Sequence, residues 1–196
     1  MVSAVPLSTG AHEGPVRTVG IAVCVPDPLA ADVSDLRTEV TGPEVSSTPT
    51  HVTLLPPTEV AADTVEDILE HLHEVGRGSH PFAVRLCGTG TFQPVTDVVF
   101  LQVVEGGEQC DALQQQIRRG PLSVELRFPY HAHVTLAQNV DDDALARARA
   151  EMADVDTTFT VEDFVVYEGP SQATWSPRAR ITLGQGRDVS GCDADS

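Results

Sequence analysis

Lysine is absent from this 196-residue chain, and all twelve of its basic residues are arginine. That absence removes several mechanisms together. A ligase that forms a lysyl-nucleotide intermediate, a Schiff-base enzyme and a P-loop triphosphatase each need a lysine, as nucleophile or as phosphate clamp. Positive charge is scarce in general. Twenty-nine acidic residues leave a formal net charge of -17, which repels polyanions and argues against binding duplex DNA through many phosphate contacts. Any phosphate must therefore be met locally. Cysteine is sparse too: Cys24, Cys87, Cys110 and Cys192 stand far apart without CxxC spacing. A zinc ribbon or thioredoxin-type redox pair has no support, and free thiols are expected. Long apolar runs are also missing. No stretch reaches the roughly 18 uncharged residues of a membrane span, and MVSAVPLSTGAHEGP has neither the basic start nor the apolar run of a secretory signal. A cytoplasmic protein with no membrane partner is the expectation.

The 41% of apolar residues that are present suffice for one good core, or for two small lobes sharing one. Residues 1–15 and 186–196 carry no apolar periodicity and read as flexible tails flanking a single domain over 16–185. Val16 to Val25 reads as a strand. Asp27-Pro28 then supplies an N-cap and a proline at the first helical position, so a helix to about Thr41 is predicted. His51 to Leu55 reads as a short strand ended by Pro56-Pro57. Helical spacing of Val65, Ile68, Leu69, Leu72 and Val75 marks the next helix, with Gly76 and Gly78 as its stop. Two strand-like runs, PFAVRLCG and DVVFLQVV, precede the helix EQCDALQQQIRR and a Gly120-Pro121 break. The strand His131 to Gln138 follows, and Asp141-Asp142-Asp143 opens another helix, since carboxylates cap free amides there. TFTVEDFVVYEG and ATWSPRARITLG read as two closing strands. This order implies an α+β protein with two similar halves, each placing the same tetrapeptide just before a helix.

That tetrapeptide is HVTL, at residues 51–54 and again at 133–136. A lone His-x-Thr is expected from composition, but a second copy identical over four letters is not. Side chains alternate across a strand, so His51 and Thr53 share one face while Val52 and Leu54 occupy the other. His133 and Thr135 divide from Val134 and Leu136 in the same way. The apolar pair anchors each strand, and the polar pair must face water, a groove or a ligand. Imidazole is the side chain best suited to move a proton near neutral pH. Two of them on opposite sides of one phosphorus atom, each with a threonine hydroxyl to hold a non-bridging oxygen, could open a cyclic phosphodiester without a metal.

Paired His-x-Thr motifs about eighty residues apart in an α+β chain of this length resemble those of the two-histidine phosphoesterase superfamily. The nearest branch is the 2′-5′ RNA ligase and RNA 2′,3′-cyclic phosphodiesterase group. The resemblance spans Val16 to Gly184, and its specific part is HVTL at 51–54 together with PYHAHVTL at 129–136. It implies a bilobal fold with pseudo-twofold symmetry, antiparallel sheets, outer helices and a central cleft. It also implies metal-independent opening of 2′,3′-cyclic phosphates, with no cofactor. By position, His51 would be the proton donor and His133 the proton acceptor, with Thr53 and Thr135 holding phosphate. Run in reverse, the same groups would join a cyclic phosphate to a 5′-hydroxyl. The expected partner is a cyclic-phosphate nucleotide or an RNA 3′ end, acted on by a monomer. The acidic charge departs from the basic cleft rims of RNA-binding relatives and leans the substrate toward a small cyclic nucleotide.

Other residues carry open alternatives. Tyr130 would stack on a base or close the strand entrance. His131 shares the face of His133 and would tune the site or line its edge. Arg85, Arg127, Arg178 and Arg180 are rim candidates or solvated surface arginines. His71 and His73 read as solvent-facing on a helix, and Gly88-Thr89-Gly90 as a turn between strands. Two further classes remain open at this point. One is a non-catalytic nucleotide or RNA-end binding protein using the same cleft, and the other a metallohydrolase centred on His131 and His133.

Overall fold

A computed structural model of the chain describes residues 7–9, 14–41, 49–169 and 175–184. Two sheets organise it. The first contains β1 (Leu7–Ser8), β2 (Val16–Cys24), β3 (His51–Ala61), β8 (Asp163–Gly169) and β9 (Ser176–Thr182), in the order β1-β3-β2-β8-β9. The second contains β4 (Phe82–Thr91), β5 (Val98–Glu105), β6 (His133–Gln138) and β7 (Asp156–Val161), in the order β6-β5-β4-β7. Apart from the short parallel pair β1–β3, every pairing is antiparallel. The two sheets superimpose in plan: β3-β2-β8-β9 repeats as β6-β5-β4-β7, with an HVTL strand at the same place in each.

Four helices cover them among the described residues: α1 (Leu29–Thr41), α2 (Val65–Gly78), α3 (Gly107–Ile117) and α4 (Asp142–Glu151). Their placement exchanges the halves. Helix α1 leaves the first sheet and packs against β6 of the second, whereas α3 leaves the second and packs against β3 of the first. One apolar core results, joining Leu36 of α1, Ile117 of α3, Leu72 of α2 and Leu145 of α4 with the apolar side chains of both motif strands. Val52, Leu54, Val134 and Leu136 are each 0% exposed within it, and burying a side chain of this size contributes about 1.5–3 kcal/mol. The alternation of the tetrapeptide thus fixes each strand's orientation: a one-residue slip would put four such side chains into water.

Several boundaries differ from those read in the sequence, each for a physical reason. Pro56 and Pro57 do not end the strand; β3 runs on to Ala61. Val19 pairs with Thr58 and Ile21 with Leu55, so the two prolines lie opposite the single residue Gly20 in a bulge, where the ladder asks no N–H of them. TFTVEDFVVYEG is two strands. It breaks at Glu162, so that β7 joins the second sheet and β8 the first. Helix α2 passes through Gly76, and the 88–90 segment is an irregular stretch within β4. His71 is half-buried and donates from Nε2 to the Ile117 carbonyl at 3.2 Å. Leu7 and Ser8, inside the predicted tail, pair with Thr58 and Glu59; the remaining tail residues 1–6, 10–13 and 186–196 lie outside the described residues, as does Cys192. Asp141 caps α4 as read, accepting from the Ala144 amide at 2.8 Å.

Candidate active site

Turning the apolar side of each HVTL strand into the core turns its histidine and threonine the other way. His51, Thr53, His133 and Thr135 are all half-buried. On the first sheet His51 and Thr53 stand opposite Cys24 and Ala22 of β2; on the second, His133 and Thr135 stand opposite Gln102 and Phe100 of β5. Strands β3 and β6 come side by side where the two sheets meet, which brings the two motifs together. Among the described residues, neither threonine hydroxyl is engaged by another group.

The two imidazoles are held alike. His51 Nδ1 lies 2.6 Å from the Pro49 carbonyl, and His133 Nδ1 lies 2.7 Å from the His131 carbonyl, in each case two residues upstream. A carbonyl only accepts, so Nδ1 carries the proton and donates. Each Nε2 is then the titrating atom, a lone pair in the neutral ring and a donor in the charged one. Burial is the main force holding both rings below the usual imidazole pKa, opposed in each by the carbonyl bond. At His51 the charges of Arg37 and then of His133 lower it further, and at His133 the charge of His131 does so. The charge of His133 reaches His51 from β6, the strand that lies beside β3.

The flanks of the pair differ. The His133 ring sits against Phe92 and Phe100 at centroid distances of 5.0 and 5.2 Å, with His131 5.9 Å away. His131 itself is exposed, just before β6. On the His51 side a separate apolar patch of Ala22, Val165 and Tyr167, with Cys24 and Trp175 against it, covers the same face of the first sheet. The Tyr167 hydroxyl is 3.3 Å from Cys24 Sγ, and Trp175 lies 5.8 Å from the Tyr167 ring. Tyr130 spends its hydroxyl on the Thr53 carbonyl at 3.0 Å. Three of the four arginines considered for the rim are ion-paired: Arg85 to Asp156 and Glu105, Arg178 to Glu66 and Glu168, Arg180 to Asp163. Arg127 lies over the Phe128 ring at 5.3 Å. Among the described residues, no three His, Cys, Asp or Glu side chains converge in metal-holding fashion, around His131 and His133 or elsewhere.

One residue of this neighbourhood escaped the sequence reading. Arg37 is only 7% exposed; its Nε donates to the Thr135 carbonyl at 3.1 Å, and its Nη2 donates to the same oxygen. Burial pulls its pKa down to about 10. Its signal was its position, four residues after Val33 and one after Leu36 on the buried stripe of α1, where a charged residue has no reason to be unless it reaches a partner.

Comparison with known proteins is consistent with this fold. The family model of the 2′-5′ RNA ligase superfamily matches residues 25–171. A Bacillus cytotoxicus protein, provisionally named as a phosphoesterase, is 28% identical over 148 residues, covering 74% of this chain and 84% of its own length. Among solved structures, E. coli LigT complexed with 3′-AMP aligns with a TM-score of 0.65 at 16% identity, over 87% of this chain and 100% of LigT. TT0787 of Thermus thermophilus aligns with a TM-score of 0.60 at 20% identity, over 85% and 98% of the two chains. LigT has also been solved with NADP+, with ATP and with phosphate. At these identities the structural matches speak for the fold. No helix among the described residues is long and apolar enough to cross a membrane.

Proposed function

Because this chain belongs to the 2′-5′ RNA ligase superfamily, we propose that it is a metal-independent phosphodiesterase that opens 2′,3′-cyclic phosphates. The observation carrying the proposal is the matched pair of imidazoles: each is tethered at Nδ1 by the carbonyl two residues upstream, and each is left with Nε2 as its working atom. In this reading the neutral His133 takes a proton from water at Nε2 while the water oxygen bonds to phosphorus. The bond from phosphorus to a ribose oxygen breaks in line, and His51 delivers a proton from Nε2–H to that oxygen. The hydroxyls of Thr53 and Thr135 donate to the non-bridging oxygens, and His131 stands at the edge where substrate enters. Attack by a 5′-hydroxyl in place of water would make a phosphodiester by the same proton transfers, and it needs neither lysine nor nucleotide cofactor.

Charge favours a small substrate. With a net charge of -17 and Arg85, Arg178 and Arg180 already neutralised by carboxylates, a cyclic mononucleotide or short RNA 3′ end fits better than a long polyanion. The test is hydrolysis of 2′,3′-cyclic AMP in excess chelator. His51→Ala and His133→Ala should each lose about 10²–10⁴-fold in turnover. Folded protein that turns over no member of a cyclic-phosphate panel would overturn the proposal. Nucleotide binding that is lost in both variants, with turnover at background throughout, would indicate a non-catalytic binder instead.

A further inference from the structure

The two motif strands lie next to each other without sharing a backbone ladder. Among the described residues, β3 pairs over 51–55 only with β2, and β6 pairs only with β5. Nothing in either sheet sets the separation of the two histidines, and apolar packing behind them is non-directional. Directional ties do exist, and they are reciprocal. The Thr53 carbonyl accepts from Tyr130, which belongs to the segment leading into β6. The Thr135 carbonyl accepts from Nε and Nη2 of Arg37, which belongs to α1, the helix between β2 and β3. Each tie thus starts in one half and ends on the main chain of the other half's motif, at the same position, two residues past the histidine. The helix exchange makes this possible, since it lays α1 against β6.

We propose that Arg37 and Tyr130 are positioning residues that hold the two motif strands at a working separation by capping the main-chain carbonyl of each motif threonine across the boundary between the halves. This rests on the reading of the two motifs as one site. The pair are unlike in chemistry. Tyr130 supplies one neutral hydrogen bond, whereas Arg37 supplies a charge-assisted fork of the stronger kind. Arg37 has a second effect that Tyr130 lacks. Its cation lies close enough to His51 to favour the neutral ring, in the same direction as His133 facing from β6 and against the Pro49 carbonyl. Spacing and protonation at His51 are therefore set partly by one side chain.

Three variants separate these effects. Tyr130→Phe removes one oxygen and keeps the packed ring, so it does not depend on how a buried arginine is tolerated. Its kcat on 2′,3′-cyclic AMP should fall roughly threefold to tenfold, the worth of one hydrogen bond, with KM and the pH profile unchanged. Arg37→Lys keeps the charge and loses the fork, so kcat should fall while the alkaline limb stays in place. Arg37→Met loses both, and the alkaline limb, where His51 as proton donor loses its proton, should move to higher pH together with the His51 ring titration followed by NMR of 15N-labelled histidine. The ring titrations need no turnover: if the wild type hydrolyses no cyclic phosphate, a raised His51 titration in Arg37→Met that Arg37→Lys rescues still supports the Arg37 tie. Wild-type kcat in both Tyr130→Phe and Arg37→Lys, or His51 titrating identically in all three variants and the wild type, would overturn the inference.

Discussion

Gly20 offers a sharp perturbation of the face that carries His51. It lies in β2 opposite Tyr167 of β8 and within the bulge made by Pro56 and Pro57. A Cβ placed on it would stand 1.8 Å from Trp175 Cη2 and 2.2 Å from Cζ3, so the six-membered ring of the indole rests on bare backbone. In Gly20→Ala the ring must leave. Because the obstacle is the far end of a side chain, the backbone need not shift, and the loss should be the packing of Trp175 on the patch, about 1–2 kcal/mol. Gly76 supplies the contrast. Its Cβ would meet Ile181 Cγ2 at 2.6 Å and the Thr182 carbonyl oxygen at 2.8 Å, and main chain cannot rotate away. Alanine within α2 would regain about 1 kcal/mol of helix propensity. The overpacking of a site closed by buried Ile181 should exceed that, leaving a net loss of up to about 2 kcal/mol. Trp175 is the sole tryptophan, so intrinsic fluorescence tells the two apart. Gly20→Ala should shift the native emission to the red and lower the urea midpoint, whereas Gly76→Ala should lower the midpoint with native emission unmoved. Unchanged emission in Gly20→Ala would mean that the indole does not rest on that backbone, and the reasoning would fail.

Other consequences are open to measurement. Both site histidines are held below their usual pKa, so the unfolded chain takes up protons more readily than the folded one. Their contribution to stability is then complete above the ordinary imidazole pKa of about 6.5 and is lost as pH falls from there through the folded values. Urea midpoints taken down that range should decline, and they should decline less in a His51→Gln, His133→Gln double variant. Asp141→Ala removes the N-cap of α4 and should cost about 0.5–2 kcal/mol in unfolding experiments with kcat unchanged. Because the chain is strongly acidic, salt should screen repulsion of an anionic nucleotide, so kcat/KM should rise between about 10 and 150 mM salt. A fall over that range would point instead to a cationic groove.

The candidate site was legible where a local rule carried it. The period-two alternation of HVTL suffices to place Val52, Leu54, Val134 and Leu136 inward and the histidines outward, and Asp141 declares a helix start by its chemistry alone. What escaped the sequence depended on partners distant along the chain. Whether Pro56-Pro57 ends a strand depends on the bulge opposite Gly20. Whether TFTVEDFVVYEG is one strand or two depends on a second sheet claiming its first half. Arg37 and Tyr130 reach their carbonyls through the exchange of α1 and α3 between halves, and no window of sequence spans that. The bonds that present Nε2 are local in sequence, yet they appear only once Pro49 and His131 have folded back onto the rings.

The central claim is that imidazoles 51 and 133 grip one phosphoryl group between them, and the most direct check is to watch both rings as an anion arrives. With 15N-labelled histidine, inorganic phosphate titrated into the protein should move the Nε2 resonances of both residues along one common saturation curve. Movement of only one ring, or of neither in folded protein, would contradict the account.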